Sequence, residues 1–186
     1  MQNYSGIYRG KVLATDASET DNLGRIKCEV YPMLISSDLT NGSAAQLTAD
    51  GFKTEGISIT DLPWAVPAMS LFAGAGVGYG SFSVPEVGSF VWVFFEAGDI
   101  YQPVYFAEAQ TKLSGIPSEV STNYPSTKVW KSKNGIVITI NDNKGTEDIK
   151  VLHPTGSYIQ IDSSGNVNVV SSGNINISGT IVNINP

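Results

Sequence analysis

The sequence predicts an all-β protein in two parts, a small barrel followed by a narrow, repetitive β ribbon. Three observations carry this expectation. Hydrophobic alternation broken by turn residues recurs along most of the chain. Helical periodicity is hard to find. The C-terminal part settles into a repeat of eight residues.

Composition narrows what such a protein does. Charged residues make up 15% of the 186 residues, below the roughly 25% of an average soluble chain, so Gly, Ser, Thr and Asn supply much of the polarity. The net charge is −6, and the Lys and Arg residues are scattered from Arg9 to Lys150 without clustering. No nucleic-acid partner is expected, because phosphate binding needs concentrated cations. Cys28 stands alone, which excludes a disulfide framework or a thiolate metal site within one chain and leaves a small buried side chain. The N-terminus has no basic region followed by an apolar run, and no stretch approaches the roughly 20 apolar residues of a membrane span. A chain made in the cytoplasm that stays soluble is expected.

The first strand is expected between Gly6 and Ala14, with Ile7 and Val12 as its apolar positions. The second runs from Gly24 to Tyr31, with Ile26, Cys28 and Val30 on one face and Arg25, Lys27 and Glu29 facing water. Between them, Thr15 to Leu23 is rich in Asp, Ser, Thr and Asn, which compete for backbone hydrogen bonds and favour turns. Pro32 to Thr60 holds no period and reads as a long insertion. Order returns at Leu62 to Pro67, and the glycine-spaced run Gly74 to Gly80 follows. Phe90 to Phe95 is then a strand apolar on both faces, Phe90, Trp92 and Phe94 alternating with Val91, Val93 and Phe95. One face of such a strand fills the barrel, so the other is expected to pack on another chain or domain. Trp64, Phe90, Trp92 and Phe94 are accordingly expected in the barrel core or in packing against a partner. A hairpin through Gly98-Asp99 leads into Pro103 to Phe106.

Thr111 to Thr127, with Pro117 and Pro125 and little apolar content, reads as a linker. The expected domains are therefore a barrel over 1–110 with its insertion at 32–60, a linker at 111–127, and a spike over 128–186. In the last of these, Val151, Ile159, Val167 and Ile175 fall at steps of eight, as do Ile161, Val169 and Ile177, and as do Gly165 and Gly173. A shortened copy keeps Val182 and Ile184. Each unit is a strand plus a bend: two β-branched side chains point one way, Asn or Ser the other, and Gly165 or Gly173 makes the corner. A single ribbon of such units buries none of its Val and Ile and leaves both edges unpaired. Three identical ribbons wound on one axis bury every row and pair every edge, so a homotrimer is expected. Its core would be Val151, Ile159, Ile161, Val167, Val169, Ile175, Ile177, Val182 and Ile184. After Asp162 no residue is charged, so three chains meet without like-charge repulsion. The alternative is an ordinary meander or a polar, aggregation-prone strand segment.

Several of these segments together resemble a known family. Pro63-Trp64-Ala65, the glycine run, Val84-Pro85-Glu86-Val87-Gly88, and Val91 to Asp99 with Pro103-Val104 are similar to the N-terminal OB-fold barrel of phage baseplate central spike proteins, relatives of type VI secretion spikes. Val129 to Gly135, Ile138 to Asp142 and Gly156 to Asp162 are similar to the segment that joins that barrel to a triple-stranded β-helix. The resemblance implies an OB-fold barrel followed by a trimeric intertwined β-helix, located in the virion at the tail baseplate. It implies a homotrimer with its barrels seated on a baseplate hub protein and its needle passing transiently through the host outer membrane. Trp64, Phe90, Trp92 and Phe94 would then pack in the barrel or against hub and trimer neighbours; the resemblance does not extend to 32–60. Members with a lysozyme domain need more room than 111–127 offers. Members with an iron-holding tip use paired histidines, whereas the sole histidine here, His153, precedes the octads; no metal and no cofactor are expected, and a separate tip protein would cap the end.

No catalytic residue is expected. One histidine and one cysteine offer no nucleophile and base pair, and Glu96, Asp99, Asp142, Glu147 and Asp148 lie at turns where carboxylates are ordinarily solvated. Gly74 to Gly80 lacks both the third glycine and the lysine of a phosphate loop. The competing expectation is an OB-fold module that binds a glycan, or less readily single-stranded nucleic acid, with Trp64, Tyr79, Phe82 and Trp92 as stacking platforms.

Overall fold

The computed structural model describes residues 3–17, 21–36, 56–71, 74–112 and 114–183. They fall into two units, Met1–Gly115 and Ile116–Pro186. In the first, β1 (Ile7–Thr15), β2 (Ile26–Val30), β3 (Trp64–Pro67), β4 (Phe90–Phe95) and β5 (Pro103–Glu108) close a barrel in the order β1-β2-β3-β5-β4. Only the β3–β5 pair is parallel, and this is the five-stranded OB arrangement.

Alternation fixes which side chains go inside. On β4, Val91, Val93 and Phe95 are buried while Phe90, Trp92 and Phe94 keep partial exposure. The inner set joins Val12, Ile26, Cys28, Val30, Ala65 and Tyr105, and Tyr4 and Tyr8 pack their rings on Phe95 at 6.0 and 5.6 Å. Each fully buried Val, Ile or Phe among them contributes about 1.5–3 kcal/mol by leaving water. Gly10 on β1 faces this core at a tight spot, where a Cβ would lie 3.0 Å from Val93 Cγ2 and 3.4 Å from Cys28 Sγ.

The second strand departs from its expected pattern. Lys27 and Glu29 do not face water; they are only 9% and 5% exposed. The 3-10 turn Ile59–Asp61 and the Trp64 ring cover that side of β2: Lys27 Nζ donates to the Thr60 carbonyl at 2.6 Å and lies 4.8 Å from the Trp64 ring centre. Short-range alternation carries no information about a cover supplied by residues this far along the chain.

The insertion leaves and re-enters at one place. Leu34 pairs back on Val30, Ser36 bridges Ile57 in parallel, and Ile57 N donates to Ile35 O at 2.7 Å. Residues 37–55, which make up most of it, lie outside the described residues. The β1–β2 connection is tied at its base by buried Asp16, which accepts from Arg25 N at 2.9 Å and Arg25 Nε at 3.3 Å. The Tyr105 hydroxyl reaches the same corner, donating to Gly24 O at 2.6 Å.

In the second unit β6 (Thr127–Lys131), β7 (Val137–Asn141), β8 (Asp148–Leu152), β9 (Tyr158–Ile161) and β10 (Val167–Val170) form an antiparallel meander in chain order. Part of the segment read as a linker belongs to this unit: the 3-10 turn Ser118–Ser121 places Glu119 against Lys131 of β6, with Nζ to Oε1 at 2.7 Å. The first octad strand, Val167–Val170, pairs with β9 of its own chain. Beyond Val170 no strand forms among the described residues.

Candidate assembly surfaces

Two apolar surfaces stand out, one on each unit. On the meander, the registers align side chains into rows that cross all five strands. One row is Trp130, Ile138, Val151, Ile159 and Val169; the next is Lys128, Ile140, Ile149, Ile161 and Val167. Period-two alternation puts both rows on one face. That face is the open one: Ile138 is 37% exposed and Val167 is 68% exposed, with Lys128 the only charge in either row. The opposite face is polar yet less exposed. Along β8, Asp148, Lys150 and Leu152 are half-buried while Ile149 and Val151 are exposed. Gln160 Nε2 donates to Asp148 Oδ2 at 2.9 Å, and Lys150 Nζ sits 4.1 Å from the Tyr158 ring centre. The usual order of a half-buried sheet, apolar in and polar out, is inverted.

These rows bring together Val151, Ile159, Ile161, Val167 and Val169 of the core expected from the octads. Ile175, Ile177 and Val182 lie outside any strand and are exposed, and Ile184 falls outside the described residues. Gly165 takes the left-handed conformation at φ +81°, whereas Gly173 does not. The eight-residue spacing does not reach Trp130, Ile138 and Ile149. The alternation of β6, β7 and β8 was the available signal, and only the register shows that it continues the same rows.

On the barrel, the outer side of β4 carries Phe90, Trp92 and Phe94, so these three are not core residues. Arg9 lies 5.1 Å from the Trp92 ring centre and Phe94 meets Phe106 at 6.0 Å. Pairing extends this patch into a row, Val66–Val104–Phe94–Ile7, in which Ile7 and Val66 are exposed. Trp64 is half-buried and held between Arg25 at 5.4 Å and Lys27 at 4.8 Å. Trp64 and Trp92 therefore stand on strands separated by β5, each occupied by a cation of its own chain. A cleft of about 400 Å³ beside β5 is lined by Phe82 but by none of the other three candidate stacking aromatics, Trp64, Tyr79 and Trp92.

The ionisable groups of the barrel are set by burial and pairing. Burial alone would raise the Asp16 carboxyl, but hydrogen bonds from Arg25 and the Leu23 backbone outweigh it and hold the group below the usual carboxylate range. Burial pushes the Cys28 thiol up to about 12, and burial with the nearby Asp16 charge does the same for Tyr105.

The family comparison falls on this barrel. Residues 53–108 match the type VI secretion system/phage-baseplate injector OB domain. The matched stretch runs through β3, β4 and β5, and with the closed five-stranded barrel it supports the OB-fold baseplate family. It points to a structural role associated with a baseplate. No curated protein matches the chain.

Proposed function

We propose that this chain is a non-enzymatic structural spike subunit of a contractile phage tail or related injection machine. It acts as a homotrimer in the tail baseplate, with its barrels on a hub protein, and the C-terminal units form a rod that crosses the host outer membrane on contraction. A separate tip protein caps the rod. The observation that carries this reading is the inverted burial of the meander: two cross-strand rows of Ile and Val lie open to water while Asp148, Lys150 and Gln160 are half-covered. Three copies turning these rows toward a common axis would bury them at about 25 cal/mol per Å², and the uncharged octads after Asp162 would wind together below. The baseplate assignment is supported separately by the family match over 53–108.

The test is the mass in solution by light scattering, wild type against Ile159→Asp. The reading expects about three times the 19.8 kDa chain mass for the wild type, and monomers with an intact barrel for the variant. A monomeric wild type refutes the spike. Trp92→Ala separates it from the glycan reading: lost assembly fits packing, while intact trimers that lose glycan binding would refute the structural reading of this surface.

A further inference from the structure

β5 changes character half-way along. Pro103, Val104 and Tyr105 are buried, whereas Phe106, Ala107 and Glu108 are exposed. The change comes where its neighbour on one side gives out. β4 accompanies β5 along its whole length, from Phe95 opposite Pro103 to Val91 opposite Glu108, but β3 pairs with it only at Val104 and Tyr105. Ala68 N still donates to Tyr105 O at 2.8 Å. Two residues on, the chain has turned to Ser81 instead, whose hydroxyl donates to Ser70 O at 3.0 Å and lies 3.2 Å from Ser70 Oγ. The two segments splay, and the cleft of about 400 Å³ opens between them.

The bare half of the β5 edge has a definite polarity. A bulge at Phe106 resets the β4–β5 register, and Ala109 N donates to Phe90 O at 2.9 Å. Backbone groups alternate sides along a strand, so residue 108 turns its N–H and carbonyl away from β4, toward the cleft. Among the described residues no strand meets them there. An edge of this kind suits another extended polypeptide, whose own N–H and C=O groups repeat at the spacing of the edge. The surrounding side chains say what that polypeptide carries. Met69, Phe82, Val84 and Phe106 give the cleft apolar walls, with Phe82 66% and Phe106 40% exposed. Glu108 is the only charge among the described residues that line it, and its carboxylate meets Gln110 Nε2 at 3.5 Å rather than a cation.

We propose that the β5 edge at 106–108 is a docking site for an extended segment of a partner protein. The segment adds to the barrel as a short strand, sets a β-branched apolar side chain in the cleft and turns a lysine or arginine toward Glu108. The site lies within one barrel, so it stands or falls apart from the spike reading.

The test titrates the full-length chain with acetylated hexapeptides in which Val, Ile or Thr alternates with Lys, read by the backbone amide shifts of 68–70 and 106–110. Binding that moves these amides is expected. The same peptides N-methylated at every residue keep their side chains but lose their backbone donors, and are expected to bind about tenfold more weakly. Glu108→Lys changes an exposed side chain, so the barrel should melt as the wild type does while the preference passes to peptides with Glu in place of Lys. Three results overturn the proposal: no shift at 106–110 with any Lys peptide at millimolar concentration, equal binding of the N-methylated peptides, or an unchanged preference in Glu108→Lys. A change in the mass of Glu108→Lys without peptide, by light scattering, overturns it too, because the edge would then be a contact between copies of this chain.

Discussion

Asp16 shows how a single side chain holds a loop to a barrel. Its carboxylate satisfies the Arg25 N–H and guanidinium at the mouth of the β1–β2 connection. Asp16→Ala leaves that buried N–H unpaired and is expected to lower barrel stability by about 1–3 kcal/mol in urea denaturation at pH 7. The pH dependence has a definite sign. The folded-state pKa lies below the unfolded value of about 3.9. The contribution is therefore complete above the unfolded value and is lost as pH falls through the folded one. The gap between wild type and Asp16→Asn should accordingly shrink below pH 4, and a gap that widens in acid would contradict the assignment. Cys28, with its thiol pushed up to about 12, is expected to resist thiol reagents at pH 8 until the barrel unfolds. Its burial was legible from the alternation Ile26, Cys28, Val30. The burial of Lys27 and Glu29 on the other side was not; Lys27 is covered by Thr60 and Trp64, far along the chain.

Among the elements, β4 and β8 make the contrast that matters. β4 divides its two apolar faces between the barrel interior and an outer aromatic patch. Val93→Ala is expected to cost about 2 kcal/mol by emptying a closed core, whereas Phe94→Ala should leave the unfolding midpoint nearly unchanged and weaken only assembly. In β8 the order of the faces is reversed, with Ile149 and Val151 in water and Lys150 half-covered. Val151→Asp is therefore expected to leave the single-chain fold intact, as read by the barrel's near-ultraviolet circular dichroism, while abolishing the proposed trimer by light scattering. Unchanged trimers would remove the meander face as the interface. The octad spacing identified Val151, Ile159, Ile161, Val167 and Val169 as one set. It could not supply Trp130, Ile138 or Ile149, because cross-strand neighbours are set by register between strands rather than by a period along one.

For the molecule as a whole, the two units meet their hydrophobic surface in different ways. The barrel closes on itself, and closure removes most of the sheet edge that would otherwise template pairing. The meander keeps two free edges, β6 and β10, an open Ile and Val face, and a C-terminal segment without strand partners. Removing 171–186 is expected to lower the melting temperature of the assembled protein while the isolated barrel transition stays where it was. Unchanged melting of an intact trimer would show that these octads are not its staple.

The alternation and turn residues alone were enough for the all-β class, the two faces of Phe90–Phe95 and the shared spacing of the octad valines and isoleucines, since each depends only on neighbours a few residues apart. Barrel closure through the parallel β3–β5 pair, the burial of Lys27 and Glu29, and the return of Val167–Val170 onto β9 were decided in three dimensions. Each depends on which distant segment arrives to supply a hydrogen-bonding edge or a cover, and a pattern of period two is silent on that.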